Sequence, residues 1–247
     1  MRGASLAIAL ALLGAVGSAI PFASAQAQQA VSAERAALGR QLARLNNDEK
    51  MAEAQINAML RGMETMFAED ANIGALEKEH PGVIRMMLDA MAPPIREEIL
   101  RTLPELWEKL GALYAANLTE AELREVITFY SSPLGDRLRV SMSEGIDAGP
   151  MMREVLQNPD APISEGALGS TLGNTAKNTV RTLSPEDKKA LAQFAFTPSG
   201  SKFIGLSSQS IKIVAEWTNA PSPELDAKLE KVTDEVVNKI VAQEQSK

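Results

Sequence analysis

The chain offers little from which to build a catalytic centre. It holds one histidine, His80, and no cysteine, the two residue types on which dyads, triads and zinc sites normally draw. His80 stands before Pro81 in a polar stretch and reads as a surface or helix-cap residue. Carboxylates are plentiful, at Glu97, Glu98, Glu120, Glu122, Glu125, Glu186 and Asp187 among others. They fall where helix starts and solvent faces want them. Carboxylate pairs for glycosidic chemistry must face each other across a cleft at roughly 5 to 10 Å, a geometry that spacing along the chain does not supply. Ser131 and Ser132 lack a neighbouring base and the strand–turn–helix context of a nucleophile elbow. Gly166-Ala167-Leu168-Gly169 lacks the lysine and the preceding strand of a phosphate-cradling loop. No catalytic, cofactor-binding or metal-ligating residue is therefore assigned, no cofactor is expected, and the balance leans away from an enzyme.

Methionine is the unusual component. Met51, Met59, Met63, Met66, Met86, Met87 and Met91 crowd one window, and Met59, Met63 and Met66 share a helix face. Thioethers are soft ligands suited to Cu(I). They also fill irregular cores and make adaptable binding grooves. Core filling is the simplest of these three readings, and a partner groove is the second.

Charge and address narrow the function further. The formal net charge is −7 with no basic cluster, which argues against nucleic acid and anionic membranes as partners. Met1-Arg2, an apolar run from Leu6 to Ile20 and Ala23-Ser24-Ala25 have the layout of a secretory signal peptide. Cleavage is expected after Ala25, with Ala27 the neighbouring choice and an uncleaved anchor the alternative. About 222 residues would remain, with a charge near −8. Periplasmic export follows. The lack of cysteine rules out lipid attachment at the signal junction and leaves the core to hold by packing alone. No later segment is apolar enough to span a bilayer.

The positioning elements read as helices throughout, with no sustained two-residue alternation between hairpin turns. An all-α bundle of about nine or ten helices is expected. A leader and weak helix occupy residues 26–46, with Leu38, Leu42 and Leu45 on one side. Ile56, Met59, Leu60, Met63 and Phe67 follow helical spacing closely. Glu69 to Glu79 reads as a polar loop. A helix from His80-Pro81 is expected to end at Pro93-Pro94, and the following one to kink or break at Pro104. A kink is expected at Gly149-Pro150. Asn158 to Pro162 is the expected boundary between helical units at 47–158 and 159–247.

The most ordered stretch runs from Leu118 to Gly135. Thr119 and Glu122 form a capping box, with Leu118 and Leu123 as its hydrophobic staple. Ser132-Pro133 restarts the chain as a second N-cap with proline at the first helical position. Gly135 then implies close approach of the preceding helix. The same grammar returns 65 residues later: Leu183, Phe194, Pro198 and Gly200 match Leu118, Phe129, Pro133 and Gly135. Ser184, Asp187, Thr197 and Lys202 stand for Thr119, Glu122, Ser132 and Arg137. Two repeated helix–corner–helix units are therefore expected.

The first unit resembles the bacterial exported proteins of domain of unknown function 2059. The resemblance rests on Leu113-Tyr114, Leu118-Thr119, Glu122-Leu123, Phe129-Tyr130-Ser131-Ser132-Pro133 and Gly135, and covers roughly residues 95–155. It implies an all-helical exported protein without an established activity and brings no catalytic residue to this chain.

Three functions are compatible with these features. The leading one is a non-enzymatic periplasmic protein that binds an envelope protein, a peptide or an unfolded client as an adaptor or holdase. The second is a small-ligand or lipid carrier with a cavity lined by Met59, Met63, Met87, Phe129 and Tyr130. The third is an enzyme of unrecognised type using carboxylates alone. The oligomeric state is left open.

Overall fold

A computed structural model describes residues 31–158 and 161–245. The expected signal peptide at residues 1–25 and part of the expected boundary lie outside the described residues. Among the described residues there is no strand, and the all-α bundle is what the structure shows.

The spine is α4 (Val83–Asn117), 35 residues long and about 50 Å from end to end. Pro93, Pro94 and Pro104 all lie inside it, so the expected stop and break are not made. An interior proline costs about 3 kcal/mol in a free helix, while each fully buried Leu or Ile side chain contributes about 1.5–3 kcal/mol. α4 places Leu88, Ile95, Ile99, Leu103, Leu106 and Leu110 in the core. That packing outweighs the lost N–H donors.

The helices packed most extensively against this spine are α1 (Ala33–Asn46), α2 (Glu49–Glu69), α11 (Ser207–Thr218) and α12 (Pro223–Glu244). The weakly patterned α1 is fully integrated, with Leu42 and Ala43 completely buried. It crosses α4 where glycine meets glycine. A Cβ on Gly39 would stand 2.3 Å from the Gly111 carbonyl oxygen, and one on Gly111 2.9 Å from the Arg40 backbone. Arg35 fastens the crossing by donating to the carbonyls of Ala115 (2.6 Å) and Ala116 (3.1 Å), which the end of α4 leaves without intrahelical partners.

Residues 71–79 form a helix, α3 (Ala71–Glu79), where the polar composition suggested a loop. Asp70 explains the difference: it ends α2 and caps α3, accepting from the Asn72 and Ile73 N–H groups. Ile73 and Leu76 then pack against the core. α4 begins after Gly82, whose φ of 95° favours glycine. The cap is supplied from outside the helix: the Glu77 carboxylate accepts from the Gly82 (2.8 Å) and Ile84 (2.9 Å) N–H groups. Those donations, Ile84 first, hold the Glu77 carboxyl below its usual range.

The two corners are α5 (Glu120–Tyr130) with α6 (Pro133–Glu144), and α9 (Pro185–Ala195) with α10 (Pro198–Gly205). Both turn in the same way. Ser132 Oγ accepts from Gly135 N–H and donates to the Phe129 carbonyl; Thr197 Oγ1 does the same with Gly200 and Phe194. The capping box at Thr119 and Glu122 is complete, and the staple leucines Leu118 and Leu123 are fully buried.

The corners also dock on one another, with corresponding positions meeting reciprocally. Phe129 stacks on Phe194 with ring centroids 3.8 Å apart and planes 3° from parallel. Lys202 pairs with Glu122, and Arg137 pairs with the corresponding Asp187 at 2.6 Å. Ser199 donates to Glu125, while the corresponding Leu134 packs near Ala190. This is the contact pattern of a two-fold interface, formed here within one chain. Burial alone would raise Glu122, but Lys202 and the Thr119 N–H and hydroxyl outweigh it and hold the carboxyl below its ordinary value.

Behind the stacked rings, Tyr130 and Phe203 (5.5 Å) and Phe203 and Tyr114 (5.4 Å) continue the aromatic cluster. Both tyrosines of the chain are thus buried, Tyr114 to 3% and Tyr130 to 2% exposure. Burial pushes the Tyr114 phenol up to about 12, against a hydrogen bond with Ser210 that lowers it. Burial raises Tyr130 as well, with a further push from Tyr114. The neutral phenols are therefore favoured by the folded state. Their contribution is complete below the unfolded value near 10 and is lost as pH climbs toward and above about 12. In an alkaline titration, tyrosinate absorbance is expected to appear together with the loss of helical circular dichroism. A tyrosine that ionises near pH 10 in a fully helical protein would contradict this packing.

The remaining helices are α7 (Gly149–Gln157) and α8 (Glu165–Thr182). The bend expected at Gly149-Pro150 is a full break: α6 ends at Glu144, and residues 146–148 have no regular secondary structure before α7 begins. The largest buried cluster draws on residues from Leu38 to Ile240, on both sides of the 158–162 segment.

Candidate functional site

The methionine-rich face of α2 leads to a cleft that combines appreciable volume with apolar walls and charged groups of both signs. Met59 and Met63 are fully buried on this face, at 0% and 1% exposure. One helical step round, Ala58, Arg61, Gly62, Thr65, Met66 and Glu69 form a stripe that lines an open cleft of about 350 Å³. The opposite wall is the 146–148 segment with Gly149, Met152 and Arg153 of α7. That volume lies within the range of ligand sites, about 300–1,000 Å³.

The floor is apolar and soft, made by Met66, Met152 and Ala148. The charges stand around it. Asp147 is tied to the backbone through the Gly149 N–H (2.9 Å). Most arginines of the chain have an acid partner, as Arg40 has Glu108 and Arg96 has Glu53. Arg61 and Arg153 make no ion pair with any described residue. Two uncommitted guanidinium groups thus face one cleft, with Glu69 and Asp147 beside them.

A second, inner cavity lies behind the first and shares Ile146 and Ala148 with it. It is bounded by Gln55, Met59, Met151, Leu168 and Thr171. Gln55 is 1% exposed, and neither end of its amide has a hydrogen-bond partner in the protein; the Thr171 hydroxyl, on a residue 5% exposed, has none either.

The sequence-marked groups distribute as follows. His80 ends α3 as its C-cap residue and does not line the cleft. Met86, Met87 and Met91 are half-buried on α4, packed against the core. Phe129 and Tyr130 wedge the corners together through their contacts with Phe194 and do not line the cleft. The carboxylates are engaged locally: Glu97 with Lys228, Glu98 with Arg101 and the Ser222 hydroxyl, Glu120 with the Ser32 hydroxyl. Among the described residues no group of three or more His, Asp or Glu side chains is placed to hold a metal ion. No helix among them is long and apolar enough to cross a membrane.

The run from the second half of α4 through the first corner into α7 can now be placed among known proteins. Residues 105–156 match the family described as an uncharacterized protein conserved in bacteria, DUF2059. The matched segment holds the Thr119 capping box, the Ser132-Pro133 corner and the α7 wall of the cleft. No curated protein and no solved structure matches the chain.

Sequence reasoning found the α2 half of the cleft through its methionines. It did not group them with Met151 and Met152, although that pair stands beside Gly149-Pro150, a signal of a new helix start. Gln55 carried a visible signal too: an amide at a core position of an otherwise apolar helix face, between Ala52, Ile56 and Met59.

Proposed function

We propose that this is an exported, non-enzymatic binding protein, delivered to the periplasm by the signal peptide at residues 1–25, and that the cleft between α2 and α7 holds a peptide segment of its partner. The observation that carries this reading is the cleft itself, with Met66 and Met152 beside two arginines that make no ion pair with any described residue. Methionine walls adapt to apolar side chains of different shape. Arginines and carboxylates of both signs at the rim match a segment that carries charges of both signs beside an apolar residue. A partner client or envelope protein would present such a segment. A small-ligand carrier is the second reading, favoured by the inner cavity with its buried amide.

The test is fluorescence anisotropy with labelled octapeptides of leucine and alanine carrying one lysine and one glutamate. Saturable binding is expected. Replacing both Arg61 and Arg153 by alanine should weaken it by about three- to tenfold, as exposed charge-assisted hydrogen bonds allow. Thr65→Trp, which puts a large ring into the cleft, should abolish it. Absence of saturable binding, or equal binding by all three proteins, would remove the cleft from consideration.

A further inference from the structure

Building on the cleft as a peptide site, we infer that it receives the free C-terminal end of its partner, with the terminal carboxylate on Arg61 and Arg153. The cleft is built on a close crossing of two helices. A Cβ on Gly62 of α2 would stand 3.2 Å from Met152 Cγ and 3.3 Å from Ala148 Cβ. Arg61 precedes Gly62 in the chain, and Arg153 follows Met152. The two arginines therefore flank one contact point from the two walls, and both line the cleft. Both are exposed, and neither makes an ion pair with any described residue.

The α7 wall adds a second requirement. Gly149 leaves bare backbone there. The place its Cβ would take lies 2.9 Å from Asp147 Oδ1 and 3.6 Å from Arg153 Nη1. A carboxylate and a guanidinium thus reach one open niche without pairing with each other. Asp147 accepts from the Gly149 N–H through Oδ1, and a carboxylate keeps further lone pairs to accept from a ligand. The complement is a group that donates to Asp147 and, close by, presents an anion to the arginines.

The last residue of a polypeptide has that pattern. Its backbone N–H and its terminal carboxylate are joined through a single Cα, and a carboxylate takes guanidinium forks in bidentate fashion. An aspartate or glutamate inside a chain holds its carboxylate one or two methylenes further from its own N–H. An N-terminal amine would bring a cation to two arginines that already lack a counter-charge. The volume of about 350 Å³ is at the small end of ligand sites and suits a chain end better than a chain passing through. The side chain of that last residue then lies against Met66 and Met152, which adapt to different apolar shapes.

The experiment uses residues 26–247 and the octapeptides described above, labelled at the N-terminus, with leucine last and the glutamate replaced by glutamine. The chain end is then the sole carboxylate. Each peptide is made as the free acid and as the C-terminal amide. Wild type is expected to bind the acid about three- to tenfold more tightly than the amide, as exposed charge-assisted hydrogen bonds allow. With Arg61 and Arg153 both replaced by alanine, acid and amide are expected to bind alike, as weakly as the amide binds wild type. Gly149→Ala puts a methyl group into the niche, leaves every charge in place and should also reduce the preference. Thermal melts check folding; if the double variant does not fold, Gly149→Ala carries the comparison. Equal binding of acid and amide by wild type would overturn the end recognition and leave the cleft reading intact. An amide that regains the lost affinity when its internal glutamate is restored would overturn it in favour of any carboxylate. A preference for the acid retained in the variants would also overturn it. Absence of saturable binding by every peptide would overturn both readings.

Discussion

Gly135→Leu lowers the melting temperature by roughly 6–12 °C, on a cost of about 3 kcal/mol and about 2–4 °C per kcal/mol for a chain of this size. The reason is the corner. A Cβ at this position would lie 2.3 Å from the Phe129 carbonyl oxygen, 2.5 Å from Tyr130 Cα and 2.7 Å from the Tyr130 carbonyl carbon. All three are backbone atoms, so no side chain can swing aside. The helix before the corner would have to move as a body, and with it the Phe129 ring that stacks on Phe194. Gly135→Ala already introduces the offending atom and is expected to show most of the loss. Gly173→Ala, in α8, is the control: a Cβ there meets nothing within 4 Å, and the exchange should gain about 0.5–1 kcal/mol from helix propensity. Thermal or urea melts of the three variants decide the matter. A Gly135→Ala protein as stable as wild type would refute the close approach.

Arg139→Ala has the next largest effect, an expected loss of about 2–3 kcal/mol. This arginine of α6 is 8% exposed and ties three elements together. Its guanidinium donates to the Leu45 carbonyl at 2.9 Å, to Asp48 at 3.3 Å and to Asp136 at 2.7 Å. Leu45 and Asp48 flank the α1–α2 corner, and Asp48 is also the N-cap of α2. Removing one partner of a fully buried pair costs about 3–5 kcal/mol. The value here is smaller because Asp48 and Asp136 remain 39% and 63% exposed as side chains and can be rehydrated. Lysine should not restore the loss, because a single ammonium cannot span three acceptors in the plane of the guanidinium fork. Denaturant melts that place Arg139→Ala or Arg139→Lys within about 0.5 kcal/mol of wild type, the range of ordinary surface substitutions, would show that the α1–α2 corner stands without it.

These two residues mark the line between what was legible and what was not. Gly135 was legible because its role follows from near neighbours in the chain: a helix capped at Thr119, Ser132-Pro133, and a residue that cannot have a side chain where the chain doubles back. Arg139 looked like any charged residue on a helix surface. Its acceptors Leu45 and Asp48 lie more than 90 positions away, and nothing local distinguishes it from Arg137. The cleft divides in the same way. The α2 stripe was visible as a helical repeat of methionines; Met152 became part of its other wall only because the break at residues 145–148 turns α7 back onto α2.

By itself, the amino-acid sequence determined the helical fold class, the caps and staple at Thr119, the proline corners at Ser132 and Thr197, and the poverty of catalytic groups. Each depends on composition or on interactions spanning a turn or two of helix, where the geometry is the same in every protein. The tertiary structure decided the rest: that α4 continues past three prolines, that α1 is seated in the core at Gly39 and Gly111, and that the two corners clasp each other through Phe129 and Phe194. Those outcomes come from burial and close packing between residues far apart in the chain, whose summed energies override local preference.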